Sequence, residues 1–224
     1  MVTDDKPMRR ETPSRRRATK RQTGKRAETK AATQRKILQA ALRLFQRRGF
    51  DATTTKQIAH AAGIAEGTIF NYFPTKEEIA LFFFEQEVEH AITAVRANKR
   101  LARASLDEKL FALLQYQFEY LGKHERFIWA ALLEALRPGS PLAFSARALS
   151  MRARYLGFVE ELIASSLHRG NRTQIQAWAA QAFWIYYMGA LLYWLNDKSP
   201  GKQNTIAFVD RSLKAGVTLF VSGA

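Results

Sequence analysis

Apolar side chains in this chain recur at helical spacing and nowhere in the strict alternation of a strand. From Thr33 to Arg48, Ile37, Ala41, Leu44 and Phe45 fall on one stripe, while Arg35, Lys36, Arg43, Arg47 and Arg48 fall elsewhere. Gly49 ends that helix. The next stretch, TKQIAHAAGIAEGTIFNY from Thr55 to Tyr72, has the pattern of two short helices crossing at a tight turn. Thr55 carries a hydroxyl able to cap the first of them, Ile58 and Ala62 share a face, and Ala59 is small where a second helix must come close. Gly63 falls where the chain must reverse through a left-handed backbone. Ile64, Ile69 and either Tyr72 or Phe73 return to the core, which leaves Glu66, Gly67, Thr68 and Asn71 outward, with Tyr72 able to serve either face.

After Phe73-Pro74 the spacing of Thr75 and Glu78 predicts a capping box and a fourth helix. The rest reads as helix throughout, with breaks near 101–105, 122–124, 138–141, 168–171 and 196–202. The expected fold is all-α: a three-helix unit at 31–76 containing a helix-turn-helix, then a larger helical domain at 77–224. Thr173 to Asn196 holds no charged residue over a length that could cross a bilayer. Its interior glutamines, and rings at its middle instead of its ends, favour a helix buried all round, one face on its own core and the other on a second subunit.

Charge refines this picture. The net charge is +15, of which residues 1–30 carry +7, residues 31–76 +5 and residues 77–224 +3. A positive front end implies a nucleic-acid partner and salt-dependent binding. Residues 1–30 are almost devoid of apolar side chains, so they are expected to form a disordered basic arm, either lying along DNA or merely solvated. No apolar segment follows the positive residues, so they do not read as a secretion signal, and the expected location is cytoplasmic.

With no cysteine, thiolate metal sites and disulfides are excluded. His60, His90, His124 and His168 form no metal-ligand spacing, and Glu85, Glu89 and His90 read as a solvated acidic face. No catalytic residues, metal or cofactor are assigned, and no phosphate-binding loop or nucleophile elbow appears, so catalysis is not expected.

The stretch ILQAALRLFQRRGFDATTTKQIAHAAGIAEGTIFNYFPTKEEI, Ile37 to Ile79, resembles the tetracycline-repressor (TetR) family of bacterial transcription regulators. The resemblance implies that the second helix of the motif, about 66–73, enters the major groove of an operator. It places DNA contacts at Thr54 or Thr55, Gly67, Tyr72 and Lys76; Thr68 and Asn71 are the better candidates for base edges, and Lys56 and Glu66 are further candidates. Many members carry serine and lysine where this chain has Ala65 and Glu66, so the contacts there should differ. It further implies a homodimer through the last two helices, here about 172–196 and 203–221, the latter carrying Ile206, Phe208, Val209, Leu213, Val217 and Phe220.

A small-molecule effector is also implied, although its identity is not. Aromatic residues crowd the second domain, and Phe111, Tyr116, Tyr120, Trp129, Glu134, Phe158, Gln181, Trp184 and Tyr187 are the candidates for an apolar pocket with a few orienting groups. The expected protein is a ligand-responsive repressor on a palindromic operator. The alternative is an effector-independent, architectural DNA-binding protein.

Overall fold

The computed structural model describes residues 13–166 and 173–222, with side chains at 24–166 and 176–219. Its helices are α1 (Pro13–Arg48), α2 (Thr55–Ala61), α3 (Glu66–Ile69), α4 (Lys76–Ala97), α5 (Leu106–Leu121), α6 (Glu125–Ala135), α7 (Pro141–Phe144), α8 (Ala146–Ser166), α9 (Thr173–Asn196) and α10 (Gln203–Ser222). No strand occurs among the described residues. The expected break at 168–171 lies outside them, as does the first part of the basic arm.

The arm requires a correction. Residues 13–30, expected to be disordered, continue α1, whose stripe at Ile37, Ala41 and Phe45 is buried in the core. The physical reason is helix propagation. From Ser14 to Arg48 the chain has no proline and one glycine, Gly24, among strong helix formers, so a helix anchored by packing at 37–45 extends without a second nucleation step.

The turn chemistry also differs in one detail. Thr54, not Thr55, caps α2: its hydroxyl accepts from the Gln57 backbone N–H at 3.2 Å, and Gln57 Oε1 accepts in return from the Thr54 N–H at 3.1 Å. A threonine followed three residues on by glutamine builds this reciprocal box. Thr55 is followed at that distance by Ile58, which cannot. Gly63 adopts φ +67 as expected. Thr75 caps α4 by accepting from the Glu78 N–H at 3.3 Å.

The three-helix unit at 31–76, the reading unit, leans on the helices from 77 onward through rings. Phe45 of α1 stacks on Phe127 of α6 with centroids 5.1 Å apart, and Phe50 packs beside Phe45 at 4.9 Å. Gln46 adds a bond of 2.6 Å to the Lys123 carbonyl. In the second domain α4 packs along α5 and α8, α8 along α9, and α10 along α5. Helix α9 is not enclosed on all sides within one chain. Phe183, Tyr187, Ala190, Leu191 and Trp194 point inward, whereas Trp178, Ile185, Leu192 and Tyr193 are exposed. Among the described residues no helix is long and apolar enough to cross a membrane.

Candidate nucleic-acid interface and interior cavity

Helix α3 is one turn long and buries Ile69, with Phe73 closing beneath it. Around it, Glu66, Gly67 and Asn71 are exposed, and Thr68 and Tyr72 are half-buried. A Cβ added at Gly67 would meet nothing within 4 Å, so this position gives onto open space where another molecule's backbone can approach. Lys56 of α2 pairs with Glu66 at 3.0 Å, which engages both candidates with each other. Phe70, the residue that caps the end of α3, is an exposed ring that helical spacing does not single out.

Thr68, Asn71 and Tyr72 share an open groove of about 570 Å³ with Lys25, Arg26, Thr29 and Lys30 of α1. The groove thus sets hydroxyl, amide and phenol groups beside three exposed cations, a combination suited to base edges flanked by phosphates. The absence of breakers in α1 was the sequence signal for this arrangement.

Two other candidates serve local structure. The Thr54 hydroxyl is engaged in its cap. Lys76 Nζ donates to the carbonyls of Phe50 at 2.9 Å and Asp51 at 3.2 Å and sits 4.6 Å over the Phe50 ring. Its ammonium therefore fastens the α1–α2 loop to the start of α4.

The nine expected pocket residues do not form one site. Phe111 and Tyr116 line a wide outer groove between α5 and the α9–α10 junction. Tyr120 packs against Phe83 and His90, and Phe158 is buried with Arg96 over its ring. Trp129 is exposed, and Glu134 pairs with Arg137 at 2.7 Å. Helical periodicity assigns a face to each ring but not the element that the face meets. Only Trp184 and Tyr187 reach an interior cavity of about 290 Å³ between α4, α6, α7, α8 and α9, while Gln181 stands outside it and accepts from Arg152 at 2.9 Å.

That cavity contains residues outside the nine expected ones. Its walls are apolar, including Phe84, Ile128, Leu132, Met188 and Leu191, but Glu87 and Arg152 also line it. Glu87 is 2% exposed. Burial pushes its carboxyl up to about 8, only partly opposed by the neighbouring Gln117 side chain. Burial also raises the phenols of Tyr155 and Tyr187, with the nearby Glu87 adding to the effect. A carboxyl in the middle of a helix with Phe83, Phe84 and Val88 as neighbours was the available signal.

The family described as bacterial regulatory proteins, tetR family, matches residues 37–81, and a tetracyclin repressor-like C-terminal domain matches residues 109–224, just over half of the chain. The chain belongs to the tetR family. It is a DNA-binding transcriptional regulator and not an enzyme. It is similar to the HTH-type transcriptional repressor NicS of Pseudomonas putida, 25% identical over 67% of this chain and 70% of that protein. It is similar as well to the fatty acid metabolism regulator protein of Bacillus subtilis, 24% identical over 60% of this chain and 68% of that one. Among solved structures, FadR from Bacillus halodurans superposes with a TM-score of 0.64 at 22% identity, covering 81% of this chain and 94% of that chain. FadR from Bacillus subtilis in complex with stearoyl-CoA gives 0.62 at 22%, covering 84% and 98%. At these identities the tetR-family structures establish the fold alone.

Proposed function

We propose that this regulator is a ligand-responsive repressor: a homodimer on a palindromic operator, released when a small apolar or aromatic effector fills the interior cavity. The observation that carries this reading is the double role of α4. Its first residue, Lys76, ties down the reading unit, and its middle residues Phe84, Glu87 and Val88 form a wall of the cavity. Arg147 at the start of α8 grips the same helix through Glu78 and Glu85. An effector that binds better when α4 and α8 stand further apart would shift the unit formed by 31–76 relative to the domain at 77–224, and DNA affinity would fall.

The dimer is supported by α9 and α10. Trp178, Ile185 and Leu192 recur every seven residues on one exposed face, and Ile206 and Phe208 of α10 are exposed too. Twofold pairing gives two α3 helices for two half-sites. An apolar occupant is supported by the similar FadR structures that hold stearoyl-CoA and lauroyl-CoA. The protein would act in the bacterial cytoplasm.

Selection of bound duplexes from a random pool, followed by footprinting, tests the reading. The expected product is an inverted repeat with half-sites about 10 base pairs apart or a multiple of that. Equal protection of unrelated duplexes would instead mark an architectural protein.

A further inference from the structure

Among the described residues, three buried side-chain atoms lack a hydrogen-bond partner: Glu87 Oε1, Gln117 Nε2 and Arg152 Nε. All three belong to one region. Glu87 and Arg152 line the interior cavity, and Gln117 stands behind it, accepting at 2.9 Å from the hydroxyl of Tyr155. The Tyr155 ring in turn packs on Trp184 and Tyr187, which also line the cavity. The Gln117 amide lies close enough to Glu87 to oppose the rise of its pKa, so the atoms left for a ligand are Glu87 Oε1 and Arg152 Nε on the cavity itself. A buried polar atom left unpaired is destabilising, and two on one cavity point to a missing partner that brings polar atoms of its own.

We infer that the effector is a small apolar monocarboxylate whose carboxylate oxygens accept hydrogen bonds from Glu87 and from Arg152 Nε, with its hydrocarbon part against the α6 and α9 walls. The inference rests on the effector reading above and names the chemistry of that same cavity. Its direction follows from counting donors. A Glu87 carboxyl that keeps its proton at neutral pH supplies an O–H, and Arg152 supplies an N–H with a full positive charge, so the cavity offers donors beside a cation. An anionic acceptor matches both. An alkylammonium would meet the Arg152 charge and would have to expel the Glu87 proton.

The mouth fixes the orientation. Leu136 and Phe144 are 70% and 64% exposed and also line the cavity, giving an apolar rim at α6 and α7. A hydrocarbon tail can rest on that rim while the carboxylate stays inside. In this orientation a bulky thioester head has no place, which favours the free acid over an acyl-CoA.

Isothermal titration calorimetry on the full chain with decanoate, decanol, decylamine and decanoyl-CoA is the test. Decanoate should bind about tenfold or more tighter than each of the others, the difference expected of charged hydrogen bonds formed out of water. Glu87→Gln, which keeps a donor, should hold decanoate within about threefold, whereas Glu87→Leu and Arg152→Met should each weaken it about tenfold. Circular dichroism checks that each variant folds, and Arg152→Met, at a half-exposed position, provides the second route if Glu87→Leu does not. Tighter binding of decylamine or decanoyl-CoA, or decanoate binding indifferent to Glu87→Leu and Arg152→Met, would overturn the carboxylate assignment while leaving an effector cavity. Binding of none of the four would overturn both that assignment and the effector reading.

Discussion

Arg147 and Glu85 form a two-point ion pair, Nε to Oε1 at 2.8 Å and the second amino group to Oε2 at 2.6 Å, across the gap between α8 and α4. A further amino group of Arg147 reaches Glu78 at 2.8 Å, nearer the start of α4. One residue thus links the cavity-lining part of α8 to the stretch of α4 that leads from the reading unit. The fork of a guanidinium makes this geometry possible, and a lysine could not reproduce it.

Replacing Arg147 should therefore do more than lower stability. Arg147→Met leaves two half-buried carboxylates of α4 without their partner and should cost about 1–3 kcal/mol, or several degrees in thermal midpoint. In the proposed mechanism it should also weaken the effect of cavity ligands on DNA affinity. Scanning calorimetry and operator titrations with and without decanoate measure the two effects.

The groove at α3 predicts two different outcomes for DNA binding. Asn71→Ala should cost about 1–3 kcal/mol on the selected operator and little on unrelated duplexes. Lys30→Ala should weaken both alike and reduce the slope of log affinity against log salt by about one. Fluorescence anisotropy across a salt series separates these behaviours.

Gly63 provides a test of the turn. Its φ of +67 disfavours any side chain, yet an added Cβ would meet nothing within 4 Å, so the whole penalty of Gly63→Ala is conformational. The expected loss is about 1–2 kcal/mol in urea unfolding.

The exposed face of α9 should govern assembly. Ile185, 71% exposed in a single chain, lies at the middle of the Trp178, Ile185, Leu192 row. Ile185→Glu would place two like charges at a twofold contact, and sedimentation should show a monomer that no longer shifts the operator at concentrations where the parent does.

Glu87 should impose a pH dependence on stability. Tyr120, Tyr155 and Tyr187 lie near it, and Arg152 of α8 lines the same cavity. The folded chain holds the proton up to about 8, whereas the unfolded chain releases it near 4.5. The contribution of this group is thus most favourable below 4.5 and declines as pH rises between those values. Glu87→Gln should flatten that decline and raise the thermal midpoint on the alkaline side. Melting curves across a pH series read it directly.

The fold was legible because its helices announce themselves locally. Gly49, Gly63, Pro74 and the Thr75–Glu78 spacing mark where elements stop and start, and the ends expected for α9 and α10 agree with the structure to within one residue. Residues 13–30 are helical where their composition predicts disorder, because low hydrophobicity describes a segment that cannot bury itself and says nothing of a helix anchored further along. The cavity was largely illegible for a different reason. Their rings single out Trp184 and Tyr187 in the sequence, but Glu87 and Arg152 become informative only when α4 and α8 bring them to one space. Periodicity had placed Glu85 on a solvated face, where Arg147 in fact binds it.

Filling the cavity should move the reading units of the two protomers relative to each other. Because the chain has no cysteine, Ala61→Cys on the exposed side of α2 puts a single spin label on each protomer. Electron–electron resonance then measures the label-to-label distance in the dimer on its operator, and again with decanoate bound. The account predicts a narrow distribution on DNA that shifts or broadens by several Å as the operator is released. An unchanged distribution and undiminished operator affinity, with decanoate demonstrably bound, would contradict it.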